Sequence, residues 1–173
     1  RLMIGWSGCP DATAENPTVA RGWQCALTVP RELSMRDGKL CQQPAHEIER
    51  MRGDCVRATG GETVEEPGRL FDVVVSCEGA KMVELEIRKG VFVRYADGML
   101  TLDMGDEGYG RDQRSIELSE LRDLRVLSDT TMVEIFANGG EAALTSRTYS
   151  PAVPAMELHA EGAASMNFYR LAH

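Results

Sequence analysis

An all-β fold, specifically an antiparallel β-sandwich of two packed sheets, is what this sequence predicts, and three observations carry the prediction. Apolar residues recur at every second position through many short runs, the period of a strand with one buried face. Those runs are bounded by Gly, Asp, Ser or Pro, with turn marks such as "KG", "ADG" and "NGG" between them. Helical periodicity is almost absent, which favours a sandwich over an α/β fold. An apolar content of 43% is enough to build a core.

Residues 1–52 carry short strands with long polar connections: "LMIGW", "WQCALTVP" and "KLCQQP". "DATAENPTVARG" reads as a loop from its Pro, Asn and Gly content. Asn16-Pro17-Thr18 is no glycosylation acceptor, because Pro fills the middle position. "AHEIERMR" follows Pro44 and places Ile48 and Met51 three apart, so a short helical turn is expected. "GDC" then reads as the hinge into a second region, 53–173.

In that region ten runs read as strands: "LFDVVVS", "MVELEIRK", "VFVRYA", "MLTLDM", "RSIELS", "LRDLRVLSD", "TMVEIFAN", "EAALTSRTY", "AMELHAE" and "SMNFYRLA". The best patterned stretch is "VEIFANGGEAALTSR". Val133, Ile135 and Ala137 alternate with Glu134, Phe136 and Asn138, giving one buried face. Asn138-Gly139-Gly140 supplies residues that tolerate the positive φ of a tight hairpin turn.

The net charge is −8 with no clustered Lys and Arg, which excludes nucleic acid and anionic membranes as expected partners. A neutral substrate or a neutral protein surface fits better. The five cysteines, Cys9, Cys25, Cys41, Cys55 and Cys77, are widely spaced and form no CxxC. The three histidines, His46, His159 and His173, form no HExxH, so no metal and no cofactor are expected. Unpaired thiols point to a reducing compartment, the cytoplasm. No apolar run reaches 18 residues. The chain opens at Arg1 directly in a strand-like run, so a fragment of a longer protein is expected.

Candidate chemistry is sparse. Asp129 and Glu134 suggest a carboxylate pair, but five positions along a continuous strand separate them by roughly 16 Å on opposite faces. Glycosidase carboxyl pairs lie about 5–9.5 Å apart, so solvated or loop-anchoring roles are expected for both. "GDEGYGRD" is glycine-rich, but no helix follows to cradle a phosphate. Ser128 and Ser146 have no neighbouring His in a triad-like arrangement, and no GxSxG occurs. Trp6 and Trp23 each follow Gly; an aromatic face can stack on a sugar ring, while core packing is the default for the residue type.

Several segments together resemble one family. "RLMIGW", "GWQCALTVPREL", "GKLCQQPAHEIERMR" and "LRVLSDTTMVEIFANGGEAALTSRTYSP" look like the C-terminal portion of glycoside hydrolase family 32, the invertases, sucrose-6-phosphate hydrolases and related β-fructosidases. "PDATAENPTVARGWQCALTVPREL" is more similar to the bacterial sucrose-6-phosphate hydrolase type than to plant invertases. The resemblance implies a five-bladed β-propeller joined to a C-terminal β-sandwich. It also implies hydrolysis of terminal β-fructofuranosyl linkages with retention, by an aspartate nucleophile and a glutamate acid/base.

None of the family's catalytic motifs is present in these residues. "RDQ" at 111–113 is not the Arg-Asp-Pro element, and "SCEG" reverses the Glu-Cys order. No residue here is therefore expected to be catalytic. The resemblance maps 1–52 onto the last propeller blade with its linker, and 53–173 onto the sandwich. Trp6, ending the "IGW" strand, is the one position carried over as substrate-binding, in the intact enzyme.

The expected role is structural: a β-sandwich bracing the catalytic propeller and forming a homo-oligomeric contact. Its partners are then the missing propeller of the same chain and, through the parent enzyme, sucrose or a fructan. The alternative is a carbohydrate-binding, lectin-like module. That needs an exposed aromatic platform among Phe71, Phe92, Tyr95, Tyr109, Phe136, Tyr149, Phe168 and Tyr169, most of which alternation turns inward.

Overall fold

Alternation in the second region produces two antiparallel sheets packed face to face, the arrangement the pattern predicts. The computed structural model describes residues 1–8, 16–108 and 112–172. The six-stranded sheet runs, in spatial order, Ala142–Arg147, Met132–Ala137, Asp123–Ser128, Phe71–Ser76, Ser165–Leu171 and Arg52–Thr59. The five-stranded sheet runs Gln113–Glu117, Met99–Asp103, Val91–Ala96, Met82–Arg88 and His159–Glu161. A two-stranded ribbon, Ala155–Glu157 with Thr63–Glu65, lies beside them.

Register explains the core. Ile135, Val126, Val73 and Phe168 stand opposite one another across four strands, and Ala137, Leu124, Val75 and Met166 form the next row. These eight are at most 1% exposed and meet Leu85, Ile87, Val93, Leu100 and Leu102 of the other sheet. Phe71 and Phe168 add a tilted aromatic pair with centroids 5.6 Å apart.

Two further sheets occupy the N-terminal segment. Leu2–Met3 pairs with Arg31–Arg36, which pairs with Lys39–Pro44; Trp6–Ser7 pairs with Ala26–Leu27. A 3-10 turn, His46–Met51, follows, as the Ile48/Met51 spacing predicts in kind. No helix among the described residues is long and apolar enough to cross a membrane.

Three local expectations are corrected. "GDC" is no hinge: Gly53, Asp54 and Cys55 lie inside the strand Arg52–Thr59, ordered by pairing with Ser165–Leu171. "WQCALTVP" keeps only Ala26–Leu27 as strand, whereas "RELSMR", with no regular alternation, is a full strand. Asp129 and Glu134 do not share a strand, because the chain turns back between Ser128 and Met132, with Asp129 N–H donating to the Met132 carbonyl.

Candidate functional site

The strand Met132–Ala137 was expected to bury one face; it buries both. All six residues of Met132–Ala137 are buried, and Glu134 is 2% exposed. The inner face, Val133, Ile135 and Ala137, meets the core. The outer face, Met132, Glu134 and Phe136, meets the N-terminal segment.

Three sets of bonds make that seam. The Glu134 carboxylate accepts from Val29 N–H at 2.7 Å and from Arg31 through Nε at 3.1 Å and Nη2 at 2.5 Å. Arg31 also donates to Gln42 Oε1 at 2.9 Å and lies over the Phe136 ring at 5.0 Å. At the turn, Gln42 N–H donates to the Gly140 carbonyl at 2.9 Å, while Arg36 reaches the Gly139 carbonyl and Lys39 pairs with Glu141. This caps part of the outer edge of Lys39–Pro44, a strand edge otherwise open for pairing. At the far end Arg147 donates to the Thr131 carbonyl at 3.0 Å and the Gln24 carbonyl at 3.3 Å. Its guanidinium lies 5.4 Å from the ring centroids of both Trp23 and Tyr149.

Of the two roles expected for Glu134, solvated or loop-anchoring, burial excludes the first, and the bond from Val29 N–H, in the connection before Arg31, fits the second. Burial pushes the Glu134 pKa above the ordinary 4.5, and the hydrogen bonds from Val29 and Arg31 recover only part of that rise. Both carboxylate oxygens are committed to the seam, so the group has no lone catalytic task. Beside it lies an apolar cavity of about 270 Å³ between Leu27 and Val29, Ile48 and Met51, and Leu127 and Met132. Nearby, Arg88 is fully buried with Ser128 Oγ at 3.1 Å and the Arg69 carbonyl at 2.8 Å as acceptors. Burial and the neighbouring Arg69 push its pKa down to about 10, against the pull of Asp129.

Neither tryptophan is a core residue. Trp6 is 61% exposed and Trp23 42%, so the default expectation of core packing fails for both. Trp6 lies against Gly8, where a Cβ would overlap the indole ring. It stands at the mouth of a cleft of about 340 Å³ shared with Ser7, Thr28, Arg31 and Thr145. The backbone there is fixed by Gly5 and Thr28, which exchange bonds at 2.8 and 2.9 Å. Of the other aromatics, Phe71, Tyr95, Phe136 and Phe168 are buried and Phe92, Tyr149 and Tyr169 half-buried; Tyr109 lies outside the described residues.

Among the described residues, Glu32, His46 and Glu47 bring three metal-capable atoms within 4.8 Å of one another, all exposed. His46 Nδ1 is 2.9 Å from Glu32 Oε1. That hydrogen bond, with Glu47 nearby, raises the His46 pKa above the ordinary 6.5, and the same bonds lower Glu32 below 4.5. Glu32 contributes to stability above its ordinary 4.5, and the contribution of His46 is lost as pH rises through its raised value. The contact thus ties the 3-10 turn to the Arg31 strand best between pH 4.5 and 6.5. An NMR titration of the His46 ring is expected to give a midpoint above 6.5, returning toward 6.5 in Glu32→Gln.

Sequence reasoning missed Arg31, Gln42 and Glu134 as a unit. One signal was present: Met132 and Phe136, on the same face as Glu134, are apolar, the mark of a strand covered on both sides.

Comparison with known proteins agrees with this geometry. Residues 83–171 match "Glycosyl hydrolases family 32 C terminal" and residues 1–44 match "Glycosyl hydrolases family 32 N-terminal domain". The raffinose invertase of Escherichia coli is 35% identical over 170 residues, covering 88% of this chain and 34% of that protein. The sucrose-6-phosphate hydrolase of Salmonella typhimurium is 33% identical, covering 88% of this chain and 32% of that one. Among solved structures, sucrose-6-phosphate hydrolase from Lactobacillus gasseri superposes with a TM-score of 0.83 at 20% identity, covering 99% of this chain and 38% of its own. Exo-inulinase from Aspergillus awamori gives 0.79 at 19%, covering 99% and 40%. The chain spans about a third of the length of the relatives it matches. With a family match over more than half its length, this chain belongs to glycoside hydrolase family 32.

Proposed function

We propose that this chain is the C-terminal part of a β-fructofuranosidase-type glycoside hydrolase, and that its own work is structural. The division falls between 1–52, the end of the last propeller blade with its linker, and 53–173, the sandwich. The start of the six-stranded sheet at Arg52 supports that placement. The observation that carries the reading is the buried seam of Arg31, Val29 and Glu134, which fixes the blade strand to the sandwich hairpin. A carboxylate committed in this way braces; it does not catalyse.

Hydrolysis of sucrose, sucrose 6-phosphate or fructans, with retention, belongs to the longer protein and its own aspartate and glutamate. Trp6 serves there as a substrate-binding face, supported by its exposure at a cleft mouth. The exposed Leu2, Ile4 and Leu27, at 68, 56 and 62%, support contact with further propeller strands; self-association through that surface is the competing use. Cys25, Cys41, Cys55 and Cys77 are free, which supports a cytoplasmic location.

The test compares this chain with the longer protein on sucrose, sucrose 6-phosphate and inulin. Turnover is expected only from the longer protein, and measurable turnover by this chain overturns the reading.

A further inference from the structure

The outer face of the six-stranded sheet is only half covered by the N-terminal segment, and what remains open is a groove of about 330 Å³. Its floor comes from Val74, Arg125 and Asn167, neighbours in one row across three strands. Gln43 and the Gly139-Gly140 turn form one wall, and Glu49 and Arg52 the other. The volume lies at the lower end of the roughly 300–1,000 Å³ of small-molecule sites.

The geometry points to a binding site here for a neutral polyhydroxylated ligand, a mono- or disaccharide, separate from the cleft at Trp6. The groove is preorganised from below. Asp72, fully buried, accepts from Arg52 Nε at 2.7 Å and from Arg125 Nε and Nη2 at 3.0 and 2.7 Å, fixing both guanidinium planes. Each guanidinium keeps Nη1 toward the half-exposed Glu49 carboxylate, at 3.5 and 3.4 Å. These distances are at or beyond the limit of a good hydrogen bond, so hydroxyl groups can replace them at little cost.

The charges decide the ligand class. The groove's lining holds two guanidinium groups, Arg52 and Arg125, and two carboxylates, Glu49 and Asp123, and buried Asp72 adds a third negative charge beneath. No positive excess remains to hold a phosphate or carboxylate ligand. The side-chain amides of Asn167 and Gln43 have no hydrogen-bond partner among the described residues, and each offers both a donor and an acceptor. Mixed donors and acceptors at near-zero net charge match the hydroxyls of a neutral sugar. The Tyr169 ring, with Arg52 4.4 Å from its centroid, and Val74 supply apolar surface for the C–H face of such a ring.

The site is independent of the bracing role, which is read from stability rather than binding. Sucrose, raffinose and, as the anionic comparator, glucose 6-phosphate are titrated into isotope-labelled protein up to about 50 mM, well above weak carbohydrate affinities. Saturable shifts are expected at the Asn167 side-chain amide and the Gly139 and Gly140 backbone amides, with neutral sugars only. Asn167→Ala and Gln43→Ala are each expected to weaken binding about tenfold, the worth of one good hydrogen bond. The proposal is overturned by absence of saturable shifts, by shifts confined to Trp6, or by unchanged affinity in both variants. Tighter binding of the phosphate ester overturns it as well.

Discussion

Gly140→Ala is expected to lower the melting temperature by about 6–20 °C, taking roughly 3–5 kcal/mol at about 2–4 °C per kcal/mol for a chain of this size. Two costs combine. Gly140 sits at φ 86°, where an L side chain is strained by roughly 1–2 kcal/mol. A Cβ there would also penetrate the Gln42 carbonyl group and come within 2.9 Å of the Gln42 nitrogen. That obstacle is backbone, so no rotamer change relieves it, and the turn or the Lys39–Pro44 strand must retreat. Retreat breaks the Gln42 N–H bond to the Gly140 carbonyl and loosens the Arg36 and Lys39 contacts beside it. Gly139→Ala is the control: its φ is 61°, but the atoms nearest its Cβ belong to the guanidinium of Arg36, the end of a long exposed side chain. Its cost is expected to stay near 1–2 kcal/mol. Differential scanning calorimetry ranks the two, with amide exchange at Gln42 as the local probe. Equal melting temperatures for both variants would mean that the turn does not hold the strand.

The same turn shows how far the sequence was legible. Asn138-Gly139-Gly140 announced a hairpin through its tolerance of positive φ, and Asn138 and Gly139, at 52° and 61°, use it. Why Gly140 must be glycine was not legible, because the reason lies in Gln42, a contact across nearly a hundred residues. Strands with a clean period of two, such as Met82–Arg88 and Val91–Ala96, were readable because one face meets the core and the other meets water. Arg31–Arg36 and Arg52–Thr59 were not. The first anchors through a guanidinium and the second is an edge strand with a mostly exposed row, so neither shows the apolar alternation. Family resemblance pointed to glycoside hydrolase family 32, which the matches bear out, where periodicity had found only hairpins. The tryptophans failed for a different reason: their size favours burial, and exposure at a cleft mouth is a property of the assembled fold.

Removing either partner of the Arg31–Glu134 pair is expected to cost about 3–5 kcal/mol, because each leaves an uncompensated buried charge. Glu134→Leu strands a guanidinium with Gln42 and Thr145 as its remaining partners. Arg31→Met leaves a carboxylate held by the single Val29 N–H. The double variant Arg31→Met/Glu134→Leu removes both charges and fills the space, so it is expected to fall within about 1 kcal/mol of the parent. Urea denaturation at pH 7 closes this double-mutant cycle with a coupling of roughly 2 kcal/mol or more. The pH dependence has a definite sign. Burial raises the Glu134 pKa in the folded protein above 4.5, so its contribution is fullest below 4.5 and is lost as pH rises through the raised value. Arg31→Met, with the opposing cation gone, moves that loss to higher pH, and Glu134→Gln abolishes it. Singles that cost less than about 1 kcal/mol, with no coupling, would shift the bracing role from the ion pair to the backbone bonds at Val29 and Gln42. A large cost in the singles and its recovery in the double would instead identify the charges as what fixes register. The hairpin could then dock on the Arg31–Arg36 strand only where Arg31 meets Glu134.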